Sequence, residues 1–302
     1  MPPMSAARIL VVHRESAYSE VAADGAQGSV RRLLDSRDPL VADLVRAHER
    51  HEASMTRIRR ELDARGLDVT WRHDASDLSP ADFDLVITIG GDGTVLHASH
   101  SIGDTPVLGI NSSPETSVGY FTAGGAAETG ALLDRFLDGA LSATPLYRME
   151  VRVNGEVIGA RVLNDALFSH LCPASTTRYE LEVGDQREEQ LSSGVWVCTA
   201  AGSTAVVRAA GGREMPPGSR RLQFIVREPG PLCGVRGLRR PKIAKGFAGS
   251  GRPLCIRSKT SAARLYLDGP HMVHNIDFGD VVAFGGAACP LRLLGYRSKN
   301  SS

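Results

Sequence analysis

Three glycines, one carboxylate and one threonine follow an apolar run in the first third of the chain. Residues 85–89 are all apolar or β-branched, and residues 90–94 read Gly-Gly-Asp-Gly-Thr before a segment of helical character. Glycines let the backbone approach a ligand closely, so consecutive N–H groups can point at phosphate oxygens, and a helix start adds a favourable dipole. Asp92 would repel phosphates unless it holds a metal ion or takes a proton from an attacking hydroxyl group. The pattern predicts phosphoryl transfer, with an ordinary glycine turn at a strand end as the alternative.

Two later stretches also combine polar groups with an apolar or small-residue setting. Asn164 and Asp165 interrupt an apolar run, where polar groups are costly without partners, and a turn or bulge is the alternative interpretation. Residues 198–205 pass from a strand-like segment through small residues to Gly-Ser-Thr-Ala. This pattern is typical of a backbone cradle with hydroxyl donors, and close packing through small side chains is its alternative.

Composition limits the class of protein. The chain has 302 residues, 42% hydrophobic and 23% charged, which suits a globular protein of two domains. Its 35 basic and 34 acidic residues leave a formal charge of +1. The net charge of the protein therefore does not attract nucleic acid or an anionic membrane. No apolar run approaches the ~18 residues of a membrane span. We expect small-molecule partners and a local binding site.

The five cysteines are widely spaced and include no CxxC pair. This pattern supports neither a zinc site nor a disulfide framework, and it favours a reducing compartment. The first residues lead to the strand-like segment 8–12 without an apolar signal core. We therefore expect a cytoplasmic protein with no metal site built from side chains alone.

The first half alternates strand and helix patterns. Strands are predicted at 9–12, 69–71, 85–89 and 107–111, with helices from Pro39 to about Gly66, after Thr94 and over 126–137. Such alternation predicts a parallel, Rossmann-like α/β sheet whose ligands lie beyond the carboxyl ends of the strands. Both the Gly-Gly-Asp-Gly-Thr stretch and Asn111 fall at such ends.

The second half is rich in strand patterns. Residues 150–158 alternate in character around Asn154-Gly155, a strong hairpin signal. Further strands are predicted at 179–183, 195–199, 222–227, 254–257, 264–267, 281–284 and 291–294. We predict an N-terminal α/β domain over 1–143 and a β-rich, β-sandwich-like domain over 144–302. This division leaves the last roughly 20 residues able to pack back on the N-terminal domain.

The motifs together resemble the NAD kinase family. Gly-Gly-Asp-Gly-Thr at 90–94, Gly-Ile-Asn at 109–111, Asn-Asp at 164–165, and Gly-Ser-Thr-Ala at 202–205 with Gly-Gly at 211–212 occur in that family's order and rough spacing. The resemblance covers most of the chain and is most specific from Leu85 to Gly212. Four ordered motifs discriminate far better than one.

Several segments resemble the plant NADH kinase branch in particular. These are Thr-Ala-Ala-Gly-Ser-Thr-Ala-Val at 199–206, Cys-Pro-Ala at 172–174, Met-Pro at 215–216 and Leu-Gln-Phe-Ile-Val-Arg-Glu-Pro at 222–229. The resemblance implies a preference for NADH over NAD. The chain departs from the common bacterial pattern at Leu191, Ser193 and Val206, so contacts that depend on those side chains are not transferred to it.

The resemblance implies an enzyme that transfers the γ-phosphoryl group of ATP to the 2′-hydroxyl of the adenosine ribose of NADH or NAD. Asp92 matches the family's aspartate and is the predicted general base, with Mg²⁺ and the N–H groups near Gly91, Gly93 and Thr94 stabilising charge. Predicted ligand-binding residues are Gly90, Gly91, Gly93, Thr94, Asn111, Asn164, Asp165, Gly202, Ser203, Thr204 and Ala205. A homodimer or higher homo-oligomer is expected by the same resemblance.

Two alternatives remain open at this point. Diacylglycerol and sphingosine kinases share the Gly-Gly-Asp-Gly loop but are not expected to carry Asn164-Asp165 together with Gly-Ser-Thr-Ala at 202–205. A non-catalytic dinucleotide sensor could have kept the pocket and lost the chemistry. Retention of Asp92 favours an enzyme over a sensor.

Overall fold

The computed structural model describes residues 7–16, 18–19, 29–36, 38–73, 79–115, 117–234 and 237–296. The chain divides into two compact units, one formed by Met1–Thr144 with Arg292–Ser302 and the other by Pro145–Leu291. The first unit is called unit 1 below and the second unit 2.

Unit 1 contains a mostly parallel sheet. Its strands in chain order are β1 (Arg8–His13), β2 (Asp68–Arg72), β3 (Leu85–Gly90), β4 (Val107–Asn111), β5 (Gly124–Gly125) and β6 (Ala143–Leu146). The order across the sheet begins β2-β1-β3-β4, with parallel pairing throughout these four strands. The predicted strands at 9–12, 69–71, 85–89 and 107–111 are thereby confirmed.

The order of the strands reverses between β1 and β3. From β1 the chain moves outward to β2, and it then returns past β1 to place β3 and β4 on the other side. In open α/β sheets, ligands bind at the carboxyl ends of the strands next to such a reversal. In unit 1 this position lies at the end of β1 and at the glycine-rich turn after β3.

Four helices of the described residues belong to unit 1: α1 (Ser29–Asp35), α2 (Pro39–Asp63), α3 (Asp92–Ser99) and α4 (Thr129–Leu137). Helix α2 begins at Pro39 and is followed by Gly66 at φ 59°, as the proline and glycine signals predict. Its buried Ile58 and Leu62 pack in one core with Ile9, Ile87 and Leu108 of the sheet.

Helix α4 begins three residues later than the predicted start at 126. The backbone N–H of Gly125 donates to the Glu128 carboxylate at 2.9 Å, and the backbone N–H of Glu128 donates to the Gly125 carbonyl at 3.2 Å. These two bonds close a turn over residues 125–128, which leaves the helix to start at Thr129.

Unit 2 is built from antiparallel strands. They are β7 (Met149–Val153), β8 (Glu156–Val162), β9 (Asp165–His170), β10 (Thr177–Val183), β11 (Gln186–Ser192), β12 (Gly194–Cys198), β13 (Leu222–Arg227), β14 (Leu232–Gly234), β15 (Gly237–Arg239), β16 (Lys245–Ala248), β17 (Leu254–Ser258), β18 (Ala263–Leu267), β19 (Met272–Ile276) and β20 (Val281–Gly286). A short helix, α5 (Val206–Ala209), follows β12.

The larger strands form two sheets, ordered β11-β10-β17-β20-β7-β8 and β16-β13-β12-β9-β18-β19. Tyr179 and Leu181 of the first sheet share one buried core with Phe168, Val197 and Leu265 of the second. Unit 2 is therefore a β-sandwich. The predicted fold class, a parallel α/β sheet followed by a β-sandwich-like region, is confirmed.

The predicted hairpin at Asn154-Gly155 is also confirmed. Both residues have positive φ, 51° and 89°, and they join β7 to β8. This is the backbone conformation that an Asn-Gly turn adopts between twisted strands.

A final strand, β21 (Leu291–Leu294), lies in the sheet of unit 1, where Leu293 pairs in parallel with Val107 of β4. Among the described residues, no helix is long and apolar enough to cross a membrane.

Candidate active site

The glycine-rich turn connects β3 directly to α3. Gly91 precedes the helix and Asp92 is its first residue. A side chain at Gly90 would place its Cβ 2.1 Å from the Thr94 hydroxyl oxygen, so this position requires glycine for the turn itself. At Gly93, by contrast, an added Cβ would meet nothing within 4 Å. The protein's own packing therefore does not require glycine at position 93.

The start of α3 presents backbone donors. The N–H of Thr94 donates to the Gly91 carbonyl at 3.1 Å and is thus satisfied inside the turn, although the sequence predicted it as a ligand contact. For the N–H groups of Asp92 and Gly93, no acceptor is recorded within the part of the chain that the structure describes. The first N–H groups of a helix have no intrahelical partner and attract anions. Positions 92 and 93 are therefore the donors available to a phosphate.

The Asp92 carboxylate is half-buried and turned toward residues 117–122. Its Oδ1 accepts a hydrogen bond from the backbone N–H of Phe121 at 2.7 Å. Within the described ranges, the structure records no donor for Oδ2. One oxygen thus fixes the side chain, and the other can accept a proton.

Asn111 lies at the end of β4 and is buried. Its amide nitrogen donates to the Ser117 carbonyl at 3.1 Å, and its Oδ1 accepts from the N–H of Ser113 at 3.0 Å. Both polar atoms of the side chain therefore hold the loop that follows β4. In the structure Asn111 shapes this loop, and its predicted contact with a ligand stays a prediction.

A cavity of about 330 Å³ lies beside the glycine-rich turn, and we call it the loop cavity. It opens where the strand order reverses, between the segment after β1 and the turn after β3. Its lining includes Gly90, Gly91, Thr94, Arg14, Glu15, His48, His51 and Ser112. Two hydrogen bonds fix its histidines: His48 Nδ1 lies 2.8 Å from the Ser16 hydroxyl, and His51 Nδ1 lies 2.9 Å from the Ser112 hydroxyl.

Sequence reasoning missed Arg14, Glu15 and His51. A signal was present, because Arg14 and Glu15 follow the β1 strand pattern immediately and so lie at a carboxyl end of the sheet, as the glycine-rich turn does. His51 gave only a weak signal, because His48 and His51 form a pair at i, i+3 that is typical of ordinary histidines on a helix surface.

In unit 2, the Asn164-Asp165 pair is held by a distant carboxylate. Asp268 Oδ1 accepts from the N–H of Asn164 at 2.6 Å and of Asp165 at 3.0 Å, while Oδ2 accepts from the N–H of Leu163 at 2.7 Å. The N–H of Asp268 in turn donates to the Asp165 carbonyl at 2.8 Å. The backbone at 163–165 is therefore fixed by Asp268, for which the sequence indicated only a turn or a pocket edge after a strand.

The side chain of Asn164 has an unsatisfied acceptor. Its Oδ1 is buried and has no hydrogen-bond partner among the described residues. The Asn164 backbone is also closely packed, because an added Cβ at Gly202 would lie 2.0 Å from the Asn164 carbonyl oxygen. A buried acceptor without a donor is costly unless a ligand supplies one. The structure thus brings Asn164 and Gly202 together as predicted and leaves one oxygen for a ligand donor.

Asp165 is 6% exposed, and its environment disfavours its charged form. Burial raises the pKa of the Asp165 carboxyl group to about 7, and the charge of Asp268 adds to the rise. Burial also raises the pKa of Asp268, to about 6, against the opposing effect of its three backbone donors. The carboxylate that accepts three N–H groups stays ionised more readily, so Asp165 is the member of the pair that keeps a proton near neutral pH.

The hydroxyl groups of the 199–205 segment are largely engaged within the protein. Ser203 donates to the Ala200 carbonyl at 2.7 Å and accepts from the Met215 N–H at 2.9 Å. Thr199 donates to the Leu163 carbonyl at 2.5 Å. The sequence predicted Ser203 and Thr204 as ligand donors, but Ser203 and Thr199 act here as internal braces. Thr204 donates to the Ala201 carbonyl at 3.4 Å, a long bond.

In the described residues, no group of three or more His, Cys, Asp or Glu side chains is placed to hold a metal ion. Mg²⁺ usually binds through one or two carboxylates and the phosphates of a substrate, keeping several waters. Glu15 lines the loop cavity, and Asp92 is the first residue of α3. These carboxylates fit a cation that arrives with phosphates.

Comparisons with known proteins relate the chain to NAD kinases. The profile of a family described as "ATP-NAD kinase N-terminal domain" matches residues 9–141. A "Probable NADH kinase" of Oryza sativa is 35% identical over 70% of this chain and 71% of its own, and an "NADH kinase" of Arabidopsis thaliana is 33% identical over 70% and 73%. The solved structure of an NAD kinase from Archaeoglobus fulgidus in complex with ATP has the same fold. It superposes with a TM-score of 0.64 at 18% identity, over 97% of this chain and 94% of that one.

Proposed function

The chain belongs to the NAD kinase family, and on this premise we propose that it transfers the γ-phosphoryl group of ATP to the 2′-hydroxyl group of the adenosine ribose of NAD(H). The enzyme is thus an ATP-dependent NAD(H) kinase that produces NADP(H). The lipid kinase and the non-catalytic sensor, which the sequence left open, receive no support from these relatives.

The observation that carries the proposal is the pair of donors at Asp92 and Gly93 beside a carboxylate with a free oxygen. Phosphoryl transfer depends mainly on positioning and charge stabilisation. Backbone N–H groups at a helix start supply both for phosphate oxygens, and they need no reorganisation during the reaction.

Asp92 is the proposed general base. A ribose hydroxyl is a weak nucleophile, and a carboxylate within hydrogen-bond distance accepts its proton as the bond to phosphorus forms. The bond from Phe121 fixes the carboxylate through Oδ1, so Oδ2 is the atom to which we assign the proton. Mg²⁺, when bound with ATP, would neutralise charge on the phosphates, and Glu15, which lines the loop cavity, would be an oxygen donor to it.

For the dinucleotide, we propose that unit 2 supplies the recognition. Asn164 Oδ1 is a buried acceptor that lacks a donor, and an adenine amine or ribose hydroxyl would satisfy it. Asp165, fixed through its backbone, offers a second acceptor when ionised. Gly202 allows the small-residue segment to lie against Asn164, and Ala205 continues that segment.

The preference for NADH follows from the plant-type relatives named above and is likewise a proposal. Homo-oligomeric assembly and a cytoplasmic location are proposed on the family resemblance and on the cysteine pattern, respectively.

The direct test is a phosphorylation assay. Purified protein is incubated with ATP, Mg²⁺ and either NADH or NAD, and the product is identified by mass and by its reactivity with an NADP-specific dehydrogenase. We expect a 2′-phosphorylated product from both acceptors, with a larger kcat/KM for NADH. Binding of the dinucleotide without any product would favour a sensor and overturn the proposal.

A further inference from the structure

A second cavity, of about 390 Å³, adjoins the loop cavity in unit 1, and we call it the outer cavity. The two cavities share Arg14, Glu15 and His51 in their linings, so they are neighbouring parts of one groove. The loop cavity lies at the ends of β1 and β3. The outer cavity continues past β1 toward His73, directly after β2. Two strand spacings of ~4.8 Å place its far wall ~10 Å from the glycine-rich turn along the sheet edge.

His13, His73 and Arg59 line one side of the outer cavity, and the planes of the two imidazole rings are tilted by 56°. Trp71 lies outside the lining and packs behind His13 and Arg59. His13 and His73 lie with ring centroids 4.3 Å apart, and His13 meets the Trp71 ring edge-on at 5.8 Å. The Arg59 guanidinium lies 4.1 Å above the Trp71 ring. The buried Met55 adds an apolar contact to the lining. Planar rings and a guanidinium plane are surfaces on which a heteroaromatic base stacks.

The charges of the outer cavity are balanced. Its lining contains two guanidinium groups, Arg14 and Arg59, and two carboxylates, Glu15 and Glu52. Burial lowers the pKa of His13 to about 4, helped by His73, His51 and Arg59, and burial also lowers the pKa of His51. Both of these rings are therefore neutral at pH 7. A run of phosphates would meet two carboxylates there, whereas the amine and hydroxyl groups of a nucleoside would find acceptors.

From these observations we propose that the outer cavity binds the base and ribose of the phosphoryl donor, a nucleoside triphosphate whose phosphates lie in the loop cavity. The inference rests on the proposed kinase function and adds the donor's nucleoside subsite to it. It predicts that the enzyme discriminates ATP from donors that carry phosphates without a nucleoside.

The test is a substitution at an exposed position whose larger side chain would occupy the outer cavity. Thr56 lines the cavity on α2, and its side chain is exposed, so Thr56→Trp adds bulk without disturbing the core. The matched control is Ala53→Trp, on the same helix, exposed and outside both cavity linings. We expect Thr56→Trp to raise the KM for ATP at least ~10-fold, with kcat and the KM for NAD(H) within about twofold of the wild type. Ala53→Trp should leave all three unchanged.

Calorimetric titration provides a readout that does not depend on turnover. The wild-type protein should bind ATP more tightly than tripolyphosphate, and Thr56→Trp should lose that advantage while its tripolyphosphate affinity stays unchanged. Equal wild-type affinities for ATP and tripolyphosphate, or an unchanged KM for ATP in Thr56→Trp, would overturn the inference. A wild-type protein that transfers no phosphoryl group contradicts the proposed function instead, and the titration still decides the role of the cavity.

Discussion

The turn at 90–94 in unit 1 and the turn at 163–165 in unit 2 both join a carboxylate to a strand end. They differ in which groups they leave for a ligand: backbone groups in the first turn and a side-chain group in the second. In the first turn, the backbone N–H groups of Asp92 and Gly93 have no recorded acceptor among the described residues, and the side chain of Asp92 is braced by Phe121. In the second turn, Asp268 takes up three backbone N–H groups, and the Asn164 side chain keeps an unsatisfied oxygen.

The difference fits the substrate that we propose for each turn. Phosphate oxygens are acceptors of one kind, so a row of backbone donors suffices for them, and glycine lets them approach. A nucleoside presents donors and acceptors in a fixed pattern, and recognising it requires particular side chains held in place. The buried Asp268 carboxylate therefore accepts the backbone N–H groups at 163–165 and holds this turn in place.

We expect the largest effect on activity from replacing Asp92, the proposed general base. Asp92→Asn keeps the shape of the side chain and removes its basicity, so kcat should fall by about 10²–10⁴. The affinity for NAD(H) should stay within about tenfold, because the proposed dinucleotide contacts are made by unit 2. Steady-state kinetics and a dinucleotide titration measure both quantities.

Asp84→Asn is the matched control for that variant. Asp84 also accepts one backbone N–H, from Arg8 at 2.8 Å, but it lies before β3, at the amino ends of the strands. Its replacement should leave kcat unchanged. Wild-type turnover in Asp92→Asn would remove the base assignment.

The second prediction concerns two glycines, Gly93 in the first turn and Gly202, which packs against Asn164 of the second turn. Gly93→Ala adds a Cβ where the protein leaves open space, so the thermal stability should be unchanged or slightly higher, whereas kcat/KM should fall by ~10–100-fold as the methyl group crowds the phosphates. Gly202→Ala adds a Cβ 2.0 Å from the Asn164 carbonyl oxygen and should lower the free energy of unfolding by about 1–3 kcal/mol. Thermal denaturation and kinetics on both variants separate the two roles. Full activity in Gly93→Ala would mean that no ligand approaches this position.

The third prediction tests whether Asp268 positions Asn164 and Asp165. Asp268 has φ 49°, a conformation that asparagine tolerates, so Asp268→Asn removes one acceptor oxygen without backbone strain. We expect the KM for NAD(H) to rise ~10-fold with little change in kcat. Asp280→Asn is the control, because Asp280 braces another turn of unit 2 through the N–H of Asp277 at 2.8 Å. An unchanged KM in Asp268→Asn would show that the backbone at 163–165 holds its shape alone.

The smallest expected effect is a pH dependence. The pKa of Asp165 is raised in the folded protein, so this group favours folding at low pH, and that contribution is lost as the pH rises through about 7. Asp165→Asn cannot ionise and avoids the loss. The melting temperature of the variant, relative to the wild type, should therefore increase by a few degrees between pH 5 and pH 8. A difference that stays constant with pH would show that Asp165 is ionised throughout this range.

The sequence predicted many strands whose inward residues are apolar, and it missed β11, whose buried residues are polar. Strand β11 reads Gln-Arg-Glu-Glu-Gln-Leu-Ser, and its buried positions are Glu188, Gln190 and Ser192. Their partners are distant in sequence: Glu188 accepts from the N–H groups of Lys242 and Ile243, both at 2.8 Å. No local hydrophobic pattern reveals a strand that is buried through such bonds.

The same limit applies to the candidate site. The glycine-rich turn was predictable because a strand, a turn and a helix start are adjacent in the chain. Asp268 lies 103 positions from Asp165, and nothing near Asp268 in sequence indicates its partner. Only the pairing of β18 with β9 brings the two segments together.

Strand β21 has a consequence for how the protein is made. Ribosomes deliver the segment 8–137 first, but the partner that pairs with Val107 on β4 arrives only with Leu293, after all of residues 145–291 have been synthesised. Unit 2 is continuous in the chain and can complete its sandwich while β4, already paired with β5 at Ile110 and Asn111, still lacks its partner at Val107. Exposed strand edges invite aggregation during synthesis. The earlier-made half of the protein therefore completes its sheet only after the later-made half has been synthesised.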